Sequence, residues 1–385
     1  IRGLLTAVVV TVAVLYGAYT RIGAAQPLAC AFSAAFCPEP RFSGSVEPKF
    51  QPVRTAFEHN FLAGSEKDAQ LVIRNDGKPV VDLVGVTSKT GYDRNTIQQV
   101  FSSGKMLEVL VVLVAVEKGW LDYDQPVSKY WPAFAQHGKE KITVADVMRH
   151  EAGLVVFRSP VSHSIMQAYT NGDPKPMAEL IESSEPFWPA SSKRTYHAMS
   201  RGWIVGELIR HVDPKQRLLH TFLKQEIIEP LSLNAYWPTP ASILNNPAKY
   251  SPLEPVSPLW AVSNALLPHW LDGRVPFIPP LADADMKRML DSMGGSNNAL
   301  VLRMFQSIHV PGTAVGDMLI QSHFDSSEMR DVACGTSFGI RASAEALSII
   351  ADVFLHRGLY KAKNIRLFSE ATFNKGAVMK TEVGL

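Results

Sequence analysis

Ser102 and Lys105 form the pattern Ser-x-x-Lys, which can support acyl transfer. In a helix, residues three apart lie on one face, so a serine in the first turn would have the lysine one turn away. A lysine in apolar surroundings loses its proton more readily and can act as a base for a serine. The pattern alone is common. However, residues 106–116 that follow it are mostly apolar, so Lys105 does not lie on an ordinary solvent-exposed helix face. Ser102 is therefore a candidate nucleophile, and Lys105 is its candidate base.

A second serine competes with Ser102 for the role of nucleophile. Residues 335–339 read Gly-Thr-Ser-Phe-Gly, a G-x-S-x-G motif centred on Ser337. That motif works at a strand-to-helix turn, with an acid and then a histidine later in the chain. Residues 329–334 make a poor strand, and His356 is the only histidine downstream. These features favour a glycine-rich loop around Ser337.

Tyr196 is the third candidate for catalysis. A tyrosine beside a cationic lysine favours its phenolate and can shuttle the proton of a serine, whereas the alternative is a tyrosine packed at a helix start. His150 and His197 are candidate triad bases, but no acid is obviously arranged for either, and we expect His150 to hold backbone at a helix end. Glu108 follows Lys105 by one helical turn, so it pairs with the lysine and keeps it protonated, or it reaches solvent.

The composition describes a globular protein with a hydrophobic start. Among 385 residues, 38 lysines and arginines face 36 aspartates and glutamates, and no basic cluster suggests nucleic-acid binding. Cys30, Cys37 and Cys334 lack metal-ligand spacing, so we expect neither a metal nor a cofactor. We expect one large domain over residues 47–385, and the oligomeric state stays open.

Residues 3–20 carry no charge and lie between Arg2 and Arg21. This length is borderline between a signal-peptide core and a membrane span. We predict a single N-terminal membrane anchor over residues 1–22, with a cleaved signal and a secreted protein as the alternative. Residues 23–46 read as a linker. In an oxidising compartment Cys30 and Cys37 could pair, and the alternative is two unpaired juxtamembrane cysteines.

Hydrophobic patterning and turn signals predict an α+β order of elements. Asp76-Gly77 predicts a hairpin between two strands, Gly119 predicts the end of the Ser102 helix, and Thr143 predicts a helix N-cap. Residues 160–189 read as irregular, and residues 234–280 read as long ordered loops. The predicted strands are 70–75 and 79–86, and the other predicted helices are 53–62, 142–148, 202–212, 216–229, 282–293 and 343–355.

Several of these motifs occur in an order that resembles the serine β-lactamase-related family. Three stretches carry the resemblance after Ser102: 117–132 (EKGWLDYDQPVSKYWP), 142–154 (ITVADVMRHEAGL) and 188–206, which contains Trp-Pro, Tyr196-His-Ala and Gly-Trp-Ile-Val-Gly. The family includes class C β-lactamases, penicillin-binding proteins, esterases and animal LACTB-like proteins. The third stretch is most similar to its esterase-like and nematode LACT branch.

The resemblance implies a β-lactamase/transpeptidase-like fold, with an antiparallel sheet flanked by helices and a helical subdomain. It also implies that Ser102 is the nucleophile, Lys105 its base partner and Tyr196 the proton relay to the leaving group. The backbone N–H of Ser102 would form half of an oxyanion hole. Ala198 stands where the family usually has asparagine, which weakens the expectation of a β-lactam or peptide substrate. The implied activity is hydrolysis of a small-molecule or peptide ester or amide through an acyl-enzyme.

The family's third motif, K-T-G or H-x-G, is not found where the resemblance would put it. Lys89-Thr90-Gly91 precedes the serine and reads as a coincidental loop, and Lys380-Thr381-Glu382 lacks the required glycine. We therefore expect the family domain to be C-terminally incomplete in this chain. This favours, as an alternative, a weak or inactive member acting as a structural or membrane-associated scaffold. A third reading, a D-Ala-D-Ala-type peptidase, is disfavoured by Ala198.

Overall fold

The computed structural model describes residue 30 and residues 36–88, 91–253, 308–309 and 335–377. The described residues fall into two compact units. The first comprises the segment up to residue 73 and residues 79–94, and the second comprises residues 74–78, 95–253 and the later segments. In the described part of the chain no helix is long and apolar enough to span a bilayer, and the predicted anchor lies outside that part.

The first unit is built around a three-stranded sheet and one helix. Its elements are β1 (Arg41–Val46), α1 (Gln51–Leu62), β2 (Asp68–Asn75) and β3 (Lys78–Val86), with strand order β1–β3–β2. β1 runs antiparallel to β3, and Arg41 pairs with Val86. Phe57 and Phe61 on one face of α1 pack against the sheet, as the spacing of the apolar residues predicts. A Cβ at Gly85 would lie 2.3 Å from the Phe61 ring, so glycine is required there.

β1 lies within the stretch predicted to be a linker. That prediction is wrong for residues 41–46, because they pair along their whole length with β3. The small and polar residues of this edge strand hide its pairing, since they give no apolar alternation. The β2–β3 hairpin is confirmed, and its turn residues Asp76 and Gly77 both have the positive φ that such a turn requires.

The second unit is mainly helical. Its short strands are β4 (Gln98–Gln99), β5 (Val161–Ser162), β6 (Ala235–Tyr236), β7 (Ile308–His309), β8 (Arg341–Ala342), β9 (Leu359–Tyr360) and β10 (Ile365–Arg366). Its helices are α2 (Lys105–Glu117), α3 (Val144–Met148), α4 (His163–Thr170), α5 (Lys175–Glu182), α6 (Ser200–Val212), α7 (Leu219–Leu223), α8 (Glu229–Leu231), α9 (Ala241–Leu244), α10 (Ala344–Leu355) and α11 (Glu370–Ala377). A π-helical turn over Lys224–Ile228 joins α7 to α8. Strands β4, β8 and β6 form an antiparallel sheet in that order, β9 pairs antiparallel with β10, and β5 pairs parallel with β7.

α2 is the buried centre of the second unit. Its Leu and Val side chains are covered on nearly every side, which explains its uniformly apolar sequence. It packs against α6, which contributes Trp203, Ile204 and Leu208 to the same core. Gly119 ends α2 with a φ of 71°, as predicted. This packing places the first residue of α2 beside the first turn of α6.

The predicted irregular segment 160–189 is wrong in part, because it contains α4 and α5. Ser162 caps α4 by accepting the N–H of Ile165, and a proline occupies the first turn of α5. These serines and prolines begin helices here, although they read as breakers in the sequence. The other predicted helices within the described residues are confirmed with shifted ends. Residues 282–293 and most of 234–280 lie outside the described residues.

Candidate active site

A 3₁₀ turn over Phe101–Gly104 presents Ser102 directly before α2. Phe101 has a φ of 44°, a left-handed conformation that few non-glycine residues adopt and that is common at functional sites. A Cβ at Gly104 would lie 2.6 Å from the backbone oxygen of Thr336, so the turn needs glycine to approach that segment. The result is an exposed Ser102 hydroxyl, with the buried Lys105 one turn behind it.

The Lys105 amine lies 3.3 Å from Ser102 Oγ. It also donates to two backbone carbonyls, those of Ala198 at 2.8 Å and Ser337 at 3.0 Å. Burial lowers the pKa of Lys105, and the nearby Arg201 cation lowers it further, while Glu108 and Tyr196 oppose this shift. The environment therefore favours the neutral amine more than solvent does.

Tyr196 reaches the same serine from a distant part of the chain. Its hydroxyl donates to Ser102 Oγ at 2.6 Å, and its ring centroid lies 4.9 Å from Lys105 Nζ. The half-buried ring packs against Val155 and Val156. The structure thus brings all three predicted site residues together around one oxygen atom.

The segment around Tyr196 is hydrogen-bonded to residues 149–151. The N–H of Thr195 donates to the carbonyl of His150 at 3.0 Å, and the N–H of His197 donates to His150 Nδ1 at 3.0 Å. Next to them, the fully buried carboxylate of Glu151 accepts hydrogen bonds from Arg149 and Arg194. These contacts fix the backbone around Tyr196 and so position its hydroxyl next to Ser102 Oγ.

Neither histidine is arranged as a triad base. His197 Nδ1 lies 2.6 Å from the carbonyl of Thr195, and His150 holds backbone at a helix end as predicted. Burial and the Arg201 cation lower the pKa of His150 to about 2, and burial lowers the pKa of His197 to about 4. Both rings are therefore neutral at physiological pH.

Both predictions for Glu108 are wrong, because it neither pairs with Lys105 nor reaches solvent. Its buried carboxylate accepts from Arg201 Nε at 2.8 Å on one oxygen. The other oxygen accepts from the hydroxyls of Thr336 at 2.9 Å and Ser337 at 2.7 Å. The helical spacing directed attention to Lys105, whereas these partners come from distant segments.

Ser337, the rival nucleophile, is fully buried. Its hydroxyl donates to Glu108 and accepts the N–H of Gly202 at 3.0 Å, and it lies in a turn rather than at a strand-to-helix elbow. The loop interpretation is therefore confirmed, although residues 329–334 before it lie outside the described residues. Sequence reasoning missed both Ser337's structural role and Arg201. The available signal was an arginine placed directly before the apolar run 202–206 of α6.

Several other sequence features lie outside the described residues or away from Ser102. Lys89 and Thr90 of the early K-T-G, Cys334 and residues 380–382 lie outside the described residues. Cys30 and Cys37 are free thiols, and burial together with a hydrogen bond that the Cys30 thiol makes to Cys37 raises the pKa of Cys30 to about 11.

Comparisons with known proteins identify the family of this chain. The beta-lactamase family model matches residues 55–348, which include Ser102, Lys105, Tyr196 and Ser337. The esterase/beta-lactamase LipL of Mycobacterium tuberculosis is 33% identical over 195 residues, covering 50% of this chain and 43% of that protein. The match thus spans less than half of that relative's length.

Solved structures show the same fold. A penicillin-binding protein homologue from Caulobacter crescentus has a TM-score of 0.62 and 25% sequence identity. The match covers 87% of this chain and 76% of the homologue's chain. A family VIII carboxylesterase has a TM-score of 0.62 and 22% identity, with the same coverage. EstA from Arthrobacter nitroguajacolicus Rue61a has a TM-score of 0.60 and 23% sequence identity, and the match covers 86% of this chain and 74% of the EstA chain. The chain therefore has a β-lactamase/transpeptidase-like α+β fold and belongs to the beta-lactamase family of serine hydrolases.

Proposed function

We propose that this protein hydrolyses an ester or amide through an acyl-enzyme formed on Ser102. The observation that supports it most directly is the position of Ser102 Oγ, 2.6 Å from the Tyr196 hydroxyl and 3.3 Å from the Lys105 amine. An exposed nucleophile held by two groups that exchange protons is what acyl transfer needs.

The contacts of Lys105 suit a neutral amine acting as the base. A neutral amine has two N–H groups and one lone pair. When the two N–H groups donate to the carbonyls of Ala198 and Ser337, the lone pair is left for the proton of Ser102. The same three contacts also suit the ammonium that forms once the proton has been transferred.

The reaction then has two steps, acylation of Ser102 and hydrolysis of the acyl-enzyme. Ser102 Oγ bonds to the substrate carbonyl carbon as its proton passes to Lys105, directly or through Tyr196. Tyr196 returns a proton to the leaving alcohol or amine as that bond breaks. A water molecule next gives its proton to the same pair, its oxygen bonds to the acyl carbon, and Ser102 regains its proton as the acid product leaves.

We favour an ester over a β-lactam or a peptide as the substrate. Ala198 offers only its backbone to the site, where many family members have an asparagine side chain. The name of the mycobacterial relative, an esterase/beta-lactamase, is consistent with this choice. The similarity of residues 188–206 to the esterase-like and nematode LACT branch adds to it. Membrane attachment through residues 1–22, or secretion, stays part of the proposal.

The hydrogen-bond partners of Glu108 weaken the scaffold alternative. It depended partly on Glu108 holding Lys105 as an ammonium, yet the Glu108 carboxylate is engaged by Arg201 and two hydroxyls.

Rapid-quench mass spectrometry with a short-chain p-nitrophenyl ester tests the proposal. We expect a burst of p-nitrophenol and a transient mass increase equal to the acyl group, both lost in Ser102→Ala. Nitrocefin, a chromogenic β-lactam, provides the substrate comparison and should be hydrolysed far more slowly. Wild-type protein without burst, adduct or turnover would favour the scaffold.

A further inference from the structure

The buried cluster behind Ser102 contains ionisable and hydroxyl groups that the proposed reaction does not use. Its members are Glu108, Arg201, Thr336 and Ser337. The side chain of Glu108 has no solvent exposure and that of Arg201 has 6%. A buried ion pair is costly to form, and it needs its remaining hydrogen bonds satisfied to be tolerated. Here Thr336 and Ser337 supply them, so the cluster is complete without Lys105.

Ser337 connects this cluster to the candidate base. Its backbone carbonyl accepts from Lys105 Nζ at 3.0 Å, while its hydroxyl donates to Glu108 Oε1 at 2.7 Å. The same hydroxyl accepts the N–H of Gly202 at 3.0 Å. The residue is thus held from both sides by its side chain, and this fixes where its carbonyl points.

Arg201 also contacts Lys105 and, through His150, the Tyr196 segment. Its Nη2 lies 3.5 Å from the carbonyl of Lys105, and its Nη1 lies 3.1 Å from His150 Nε2. His150 in turn accepts the N–H of His197, the residue after Tyr196. The Glu108–Arg201 pair is therefore one contact away from Lys105 and two contacts away from the Tyr196 segment.

We propose that Glu108, acting through Ser337, is a positioning residue that aims the Lys105 amine at Ser102. This inference rests on the proposed function. Two carbonyls set the direction of the amine, and Ala198 supplies one of them from the Tyr196 segment. Ser337 supplies the other, and Glu108 holds it. When that carbonyl is free to turn, the lone pair of Lys105 loses its alignment with Ser102 Oγ, although the binding surface for substrate is unchanged.

Ser337→Ala tests the link without changing any charge. We expect kcat to fall by ~10- to 100-fold, since a misplaced catalytic group costs up to about that much, while KM stays within about twofold. Thr336→Val is the matched control, because it also removes a hydroxyl from Glu108 Oε1 but leaves the Ser337 hydroxyl bond in place. Its kcat should stay within about threefold of the wild-type value.

Ser337→Cys, nearly isosteric and a weak donor, serves the same test should the alanine variant not fold. A near-equal loss of kcat in the Thr336 and Ser337 variants, or a loss expressed in KM alone, would overturn the inference. A wild-type protein that shows no acylation at all would overturn the proposed function instead, so the two failures are distinguishable.

The pH profile gives a readout that packing alone would not move. The charged and titratable groups facing Lys105 are Glu108, Tyr196, Arg201 and His150. Removing the negative charge in Glu108→Gln lowers the pKa of Lys105, so the acidic limb of kcat/KM should move to lower pH. An acidic limb that stays in place would contradict a link between Glu108 and Lys105.

Discussion

The hydroxyl oxygens of Ser102 and Tyr196 lie 2.6 Å apart, although 94 residues separate them in the chain. The serine is held by the 3₁₀ turn before α2, and the tyrosine by its backbone contacts with residues 149–151. Neither local structure needs the other, so the short distance is a product of the tertiary fold. It makes Tyr196 the nearest proton donor and acceptor to the candidate nucleophile.

Tyr196→Phe should therefore lower kcat by ~10²- to 10⁴-fold, the usual contribution of a general acid–base group. KM and the unfolding midpoint should change little, because the half-buried ring keeps its packing against Val155 and Val156. Steady-state ester hydrolysis measures the effect. Tyr130→Phe is the control, since it also loses one hydroxyl, which accepts the N–H of Asp122. A Tyr196 variant as active as the Tyr130 variant would exclude the relay role.

Arg201→Met should destabilise the protein by ~3–5 kcal/mol, because it leaves the buried Glu108 carboxylate without its counter-ion. Urea unfolding followed by circular dichroism measures this free energy. Lys175→Met breaks the exposed pair with Glu179 and should cost less than ~1 kcal/mol. Equal losses in the free energy of unfolding for the two variants would mean that water reaches the Glu108–Arg201 pair.

Stability should fall as the pH drops below about 6.5. The pKa values of His150 and His197, about 2 and about 4, lie below the ordinary 6.5. The unfolded chain therefore binds more protons than the folded protein below that pH. The stabilisation is complete above pH 6.5 and is lost as the pH falls towards the folded-state values, at about 1.4 kcal/mol per pH unit for each proton.

His150→Asn should reduce this pH dependence by about one proton between pH 6 and 4, as measured by urea unfolding at each pH. Asparagine tolerates the φ of 64° at this position and keeps an acceptor for the N–H of His197. His137→Asn, at an exposed position with a φ of 57°, should leave the slope unchanged. Identical slopes in wild type and His150→Asn would show that His150 is not held neutral.

Gly202→Ala should lower the free energy of unfolding by ~1–3 kcal/mol, as overpacking does in a filled core, and it should also reduce activity. Its Cβ would lie 2.6 Å from Thr336 Oγ1 and 2.7 Å from Glu108 Oε1. Gly206→Ala, one turn later on α6, meets the hydroxyl of Tyr169 at 3.1 Å and should be milder. Thermal unfolding and ester hydrolysis of both variants measure the difference. A Gly202 variant as stable and active as the Gly206 variant would contradict the tight packing of the cluster.

Local features of the site could be predicted from the sequence. The spacing of Ser102 and Lys105 is a property of one turn, and the apolar residues after them predict that the lysine is buried. The caps at Thr143 and Ser343 are also local, and the structure contains both. Tyr196 could be assigned only from the resemblance, because nothing local brings it to the serine.

Non-local polar contacts could not be predicted in the same way. The carbonyls of Ala198 and Ser337 have no sequence signature, since every residue carries one. Glu108 was misassigned because the (i, i+3) rule describes an isolated helix, whereas α2 is buried and meets Arg201 from α6. Ser337 had a catalytic signature and proved to be a buried structural hydroxyl, because burial depends on the whole fold.

Peptide mapping of the full-length protein after reaction with a fluorophosphonate tests the role of Ser102 as the nucleophile. We expect one adduct, on the peptide that contains Ser102, and no labelling of Ser102→Ala. Ser337→Ala should still be labelled on Ser102, more slowly than wild type. An adduct on Ser337, or equal labelling of wild type and Ser102→Ala, would contradict the assignment of Ser102 as the nucleophile.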